Sequence, residues 1–115
     1  YDLKDCIEIH EYTNIPILFD VFHHICFNSN LSVNDALQRA SSTWNHNKDG
    51  IMMIDYSNQE SNQRKGKHSK TLDIKQFEKF ILSVSNCDFD IILELKDKEK
   101  SAQKAIKVIN QINGN

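Results

Sequence analysis

The chain has 115 residues, 39% hydrophobic and 26% charged, which suits one globular domain and excludes a disordered chain. A formal net charge of −2 excludes an overall basic field, so any nucleic-acid contact must come from a local patch. Cys6, Cys26 and Cys87 are odd in number and never in CxxC spacing, which excludes a disulfide frame or zinc knuckle and points to reduced thiols in an intracellular compartment.

Residues Asp2 to Thr13 read as a helix, with Leu3, Cys6, Ile7 and His10 on one face. Asn14 suits a left-handed cap, and Pro16 then forbids helix and begins a strand, Ile15 to Asp20. That strand is a continuous apolar run ending in an acid, the pattern of a strand buried on both faces. A loop carrying His23 and His24 follows. Ser32 caps the next helix, with Asp35 three residues on and Val33, Ala36, Leu37, Ala40 and Trp44 facing inward. Asn45 to Gly50 is turn-rich, and the second strand runs from Ile51 to Asp55. A long polar stretch, Ser57 to Thr71, exceeds the usual connection and reads as a functional loop. A third helix starts near Asp73 with Gln76 at the capping-box position, burying Ile74, Phe77, Phe80, Ile81 and Val84. The third strand is Phe89 to Leu95. The last helix, Glu99 to Ile112, buries Ala102, Ala105, Ile106, Ile109 and Ile112 and stops at Gly114. No apolar run approaches the roughly 18 residues of a membrane span, no signal peptide precedes the first helix, and no membrane contact is expected.

The order is α-β-α-β-α-β-α, which implies α/β architecture with three parallel strands joined by right-handed crossovers. Three strands leave both sheet edges open, and a complete (β/α)8 barrel takes about 250 residues. The chain therefore reads as a slice of a larger TIM barrel, with a small doubly wound sheet as the alternative. There is no glycine-rich phosphate loop to support a nucleotide cofactor.

Strand C-termini converge on one mouth in such a barrel, which would aim Asp20, Asp55 and Glu94 at a common centre. His23 and His68 would sit on the loops above. Carboxylate oxygens with imidazole nitrogens suit Mn²⁺, Zn²⁺ or Fe²⁺. Crowded acids raise one another's pKa unless a cation neutralises them, so the cluster makes physical sense with a metal present. Each acid taken alone could equally cap the next helix. Arg64, Lys65, Lys67 and Lys70 could equally be a solvated loop. His10 and His46 read as packing or surface residues, and His24 as the partner that orients His23.

IPILFDVFHH (15–24), RKGKHS (64–69) and DFDIILELKDKE (88–99) together resemble the C-terminal part of the UV-damage endonuclease family. Those enzymes are TIM barrels related in fold to endonuclease IV. They nick double-stranded DNA on the 5′ side of pyrimidine dimers and other lesions with a cluster of divalent metals, commonly manganese. The resemblance implies that residues 1–115 form the C-terminal portion of such a barrel, without its first five strands. It makes Asp20 and Glu94 catalytic metal ligands, and His23 and His68 ligands of a third metal. It also implies DNA contacts from Arg64, Lys65, Lys67 and Lys96, and a monomer in full-length form. Lys98 and Glu99 cap and charge the last helix. The family's Lys-x-His-x-Ser strand end reads Met53-Ile54-Asp55-Tyr56-Ser57 here. A methionine thus stands for the lysine, and Asp55 for the histidine ligand. The 115 residues alone are expected to bind metal weakly and cut nothing. Two other readings remain at this level: a sugar isomerase or epimerase of similar barrel shape, and a non-catalytic remnant of the endonuclease.

Overall fold

The structure is a computed structural model that describes residues 3–27, 30–84 and 87–114. Helix α1 spans Leu3–Thr13; the expected start at Asp2 lies outside the described residues. Asn14 ends it in the left-handed conformation, φ 59°, with its N–H donating to the His10 carbonyl at 2.8 Å.

Strand β1 is only Phe19–Asp20, four residues shorter at its start than the apolar run implied. The reason is local competition for the backbone. The Ile17 N–H donates to Thr43 Oγ1 at 2.9 Å, and the Ile17 carbonyl accepts from Trp44 Nε1–H at 2.8 Å. Pro16 has no N–H to offer. The segment enters the sheet already satisfied by side chains of another helix end.

His23 and His24 lie in a helix, not the expected loop: α2 spans Val21–Phe27 and starts directly at the end of β1. Asp20 makes this possible, because its Oδ1 accepts the His23 backbone N–H at 2.9 Å. Helix α3, Val33–Ser41, starts at Ser32, whose Oγ accepts the Asp35 N–H at 3.1 Å. The turn-rich stretch contains a short helix, α4, His46–Asp49. Strand β2 is Met52–Tyr56, helix α5 Ile74–Ser83, strand β3 Phe89–Leu93 and helix α6 Glu99–Asn113.

At α5, Asp73 Oδ1 caps the Gln76 N–H at 3.1 Å, but the Gln76 side chain does not complete a capping box. Its Oε1 accepts from Asn58 Nδ2–H at 3.1 Å instead, tying the helix to the loop after β2. Lys98 stands at the N-cap of α6 with φ 43° and makes no side-chain cap. Asp97 holds that turn through Ser101 Oγ, and its hydrogen bonds with Ser101 and Thr71 hold the half-buried Asp97 carboxyl below its usual range.

The sheet is parallel, ordered β1-β2-β3. Its helix-covered face carries Phe19, Met52, Ile54 and Tyr56, which join Val21, Ala36, Leu37, Ala40, Phe77, Phe80, Ala105 and Val108 in one core. Helix α5 packs on α6, and α1 on α3. The opposite sheet face is open. Leu18 is 49% exposed, Met53 40% and Ile92 39%. The expectation of strands buried on both faces therefore fails here, because three strands enclose no barrel interior of their own. The three cysteines are free thiols. Among the described residues, no helix is long and apolar enough to cross a membrane.

Candidate functional site

The period of two along each strand puts Asp20, Asp55 and Glu94 on the open face. Pairing register then brings them together. Asp20 lies opposite Asp55, and Asp55 lies opposite Ile92, two residues before Glu94. One carboxylate oxygen from each of the three acids lies within 4.8 Å of the others. This is the group that the strand-end pattern pointed to.

Its electrostatics are strained in the way three crowded acids must be. The Asp55 carboxyl is pushed up to about 6, first by burial, then by the Glu94 and Asp20 charges and a hydrogen bond shared with Glu94. Asp20 uses Oδ1 to cap α2, so it performs the helix-capping task and contributes to the cluster as well. A set of hard oxygens at this spacing, with one acid driven towards protonation, fits a divalent cation.

Glu94 is held by its backbone. Its N–H donates to the Tyr56 carbonyl at 2.9 Å. Its own carbonyl accepts from Ser57 Oγ–H at 2.9 Å and from His68 Nδ1–H at 3.3 Å. His68 also meets Phe22 edge-on, with centroids 4.8 Å apart. Donating Nδ1–H to a carbonyl leaves Nε2 as the acceptor nitrogen, the arrangement usual for a metal-binding imidazole. Neither His68 nor His23 belongs to the three-acid group itself. His23 projects from the exposed side of α2, its ring 5.1 Å from that of Phe27.

The remaining histidines have structural tasks. Buried His24 donates Nε2–H to the Leu31 carbonyl at 2.8 Å and packs on Phe19. His10 Nδ1–H ties α1 to the Ile15 carbonyl at 2.9 Å, and His46 opens α4 on the surface.

The polar loop after β2 is ordered by side chains that sequence reasoning passed over. Gln59 Oε1 accepts the Gly66 N–H at 2.8 Å, while its Nε2–H group reaches the carbonyls of Glu60, Gln63 and Arg64 at 3.0, 3.3 and 2.7 Å. Gln59 and His68 also form an isolated antiparallel bridge. Buried Asn58 donates to Tyr56 Oη at 3.0 Å and accepts the Asp73 N–H at 2.9 Å. Nothing in the spacing of Asn58 or Gln59 distinguishes them from other loop amides. Arg64 and Lys65 are exposed on this loop, Lys67 is half-buried, and Lys96 is exposed just beyond Glu94.

Comparison with known proteins bears on the family and the fold. The family model described as UV-endonuclease UvdE matches residues 1–114. A UV DNA damage endonuclease from Clostridium perfringens is 36% identical over 114 residues, covering 98% of this chain and 28% of that protein. Another, from Bacillus mycoides, is 26% identical over 116 residues, covering 99% of this chain and 36% of that protein. The crystal structure of SacUVDE superposes with a TM-score of 0.87 at 45% identity, covering 96% of this chain and 36% of that one. The chain thus spans about a third of the length of the relatives it matches. Its three-stranded parallel sheet is a TIM-barrel segment of the kind found in that structure. On the strength of the family match across nearly its whole length, the chain belongs to the UV-endonuclease UvdE family.

Proposed function

We propose that residues 1–115 form the C-terminal portion of a barrel endonuclease that hydrolyses a DNA phosphodiester on the 5′ side of UV photoproducts and other lesions. The observation that carries this reading is the convergence of Asp20, Asp55 and Glu94 at three adjacent strand ends. Divalent ions in such a site supply Lewis acidity and a water molecule acidic enough to attack at neutral pH. Mn²⁺ suits the oxygen-rich donor set best, with Mg²⁺ and Zn²⁺ as the other choices.

The protein's own residues have distinct tasks. Asp20 and Glu94 hold the cation charge, with Glu94 fixed by its clamped backbone. Asp55 adds a third carboxylate and must release its proton to do so. His23 and His68 stand at the rim for a neighbouring ion. Arg64, Lys65, Lys67 and Lys96 meet phosphates and position the damaged duplex without reading its sequence. The basic loop favours DNA over the sugar substrate of an isomerase. The full-length protein is read as a monomer acting inside the cell.

The test is nicking of UV-irradiated supercoiled plasmid by the full-length protein, with Mn²⁺ added or chelated. Metal-dependent nicking confined to irradiated plasmid is expected, with Glu94→Gln losing at least a hundredfold in rate, about 2.7 kcal/mol of barrier. Equal cutting by Glu94→Gln removes the acid cluster from the reaction. Robust nicking by residues 1–115 alone overturns the reading that this portion needs the rest of the barrel to cut.

A further inference from the structure

Helix α2 carries an aromatic ring that the core does not use. Its buried residues are Val21, Phe22, His24 and Cys26, whereas Phe27 at its end is 54% exposed. The basic loop folds onto this ring. Lys65 Nζ lies 5.3 Å from the Phe27 ring centroid, a cation–π contact. The next residue, Gly66, approaches the ring edge so closely that a Cβ there would sit 3.1 Å from Phe27 Cζ, and its φ of +96° also requires glycine. Gln59 fixes this approach, because its Oε1 accepts the Gly66 N–H at 2.8 Å and lies 3.9 Å from Cys26 Sγ on α2. The loop is thus built to bring an ammonium to an exposed π face.

The position of the pair follows from the helix. Asp20 of the acid cluster caps α2, and Phe27 lies seven residues on. At 1.5 Å per residue this is about 10 Å along the axis, the length of about three stacked nucleotides of one strand. His23 bridges the interval, with its ring 5.1 Å from Phe27 and its N–H on Asp20. Once Lys65 swings from the ring face it lies over to a phosphate, the pair offers what one unpaired nucleotide needs: a face on which any base can stack, and a cation for its phosphate.

Resting on the nuclease reading above, we propose that Phe27 and Lys65 form a stacking platform for a base taken out of the duplex a few nucleotides from the bond to be cut. Phe27 takes the base face and Lys65 the adjoining phosphate. Because stacking tolerates any base, the platform adds affinity for unstacked DNA without choosing a sequence. Damaged bases pair poorly and leave the stack at lower cost, so such a platform favours lesion sites.

The test uses the full-length protein and fluorescence anisotropy on two labelled single strands of equal length, one with normal bases and one with abasic residues. Both carry the same phosphates. The wild type is expected to bind the base-bearing strand about tenfold tighter than the abasic strand. Phe27→Leu, which keeps apolar bulk and loses the π face, should bind both strands equally, at the abasic level. Phe27→Trp should keep the preference, and its added fluorescence should be quenched by the base-bearing strand alone. A Phe27→Leu variant that keeps the tenfold preference overturns the platform. Wild-type protein that binds both strands equally, with normal salt dependence, also overturns it but leaves the nuclease reading standing. Binding to neither strand also overturns the platform, whereas loss of metal-dependent nicking of irradiated plasmid overturns the nuclease reading on which it rests.

Discussion

Asp55 is the residue on which the cluster's pH dependence turns. Its carboxyl moves from an ordinary 3.8 up to about 6, chiefly through burial, with Glu94 and Asp20 adding their charges. A raised carboxyl favours the protonated form in the folded state. Its contribution to stability is therefore complete below about pH 4 and is lost as pH rises through about 6. The metal-free protein should become less stable over that interval, and Asp55→Asn should flatten the profile in urea titrations at fixed pH values. Metal binding runs the other way, since a ligating carboxylate must be ionised. Manganese affinity, read by electron paramagnetic resonance of free Mn²⁺, should fall steeply below about pH 6, and Asp55→Asn should bind weakly with a shallower pH profile. Asp20 shows why its residue type alone could not settle its task. The same carboxylate caps α2 through Oδ1 and stands in the cluster, so the two readings of a strand-end acid hold together.

At the scale of elements, the strand–acid pattern located three cluster residues, while its boundaries depended on side chains elsewhere in the chain. The apolar run from Ile15 forms only two residues of ladder because Thr43 and Trp44 take the Ile17 backbone groups. Helix α2 was unreadable as a helix, since seven residues are too few for a hydrophobic period to appear and its cap is the same Asp20. The loop between β2 and α5 was legible as long and basic, and as nothing more. Its order comes from Asn58 and Gln59, which bond to many partners across the loop. Gln59→Ala should leave the Gly66 N–H and several carbonyls without their partner, at a cost of about 1–3 kcal/mol. Faster amide exchange at 59–68 with an unchanged core is expected, and retention of wild-type protection would show that the bridge to His68 alone orders the loop.

For the whole molecule, the core and the site lie on opposite faces of one sheet. Ile54 and Phe77 are fully buried on the helix side. Phe77→Ala should cost about 3–5 kcal/mol in chemical denaturation, enough to threaten folding, because it opens a cavity beside Tyr56 and Phe80. The burial that stabilises the fold also affects Tyr56, whose hydroxyl is pushed up to about 12. Saturating Mn²⁺ at a hundred times its dissociation constant should add about 2.7 kcal/mol of stability in the full-length protein, and the gain should vanish in Glu94→Gln.

Alternation of helix and strand, three acids at strand ends and the family motifs were all written locally, in runs of a few residues whose chemistry does not depend on the rest of the chain. The α/β class, the parallel sheet and the candidate cluster followed from them. The 4.8 Å convergence of Asp20, Asp55 and Glu94 needed the register of β1 on β2 and β2 on β3, which no single segment contains. The same holds for Lys65 over Phe27, which are far apart in sequence and are brought together by the bonds of Gln59. Hydrophobic period and capping act within one element and can be read from it. Register, loop closure and the exposure of a ring are set by contacts between elements, so only the folded chain decides them.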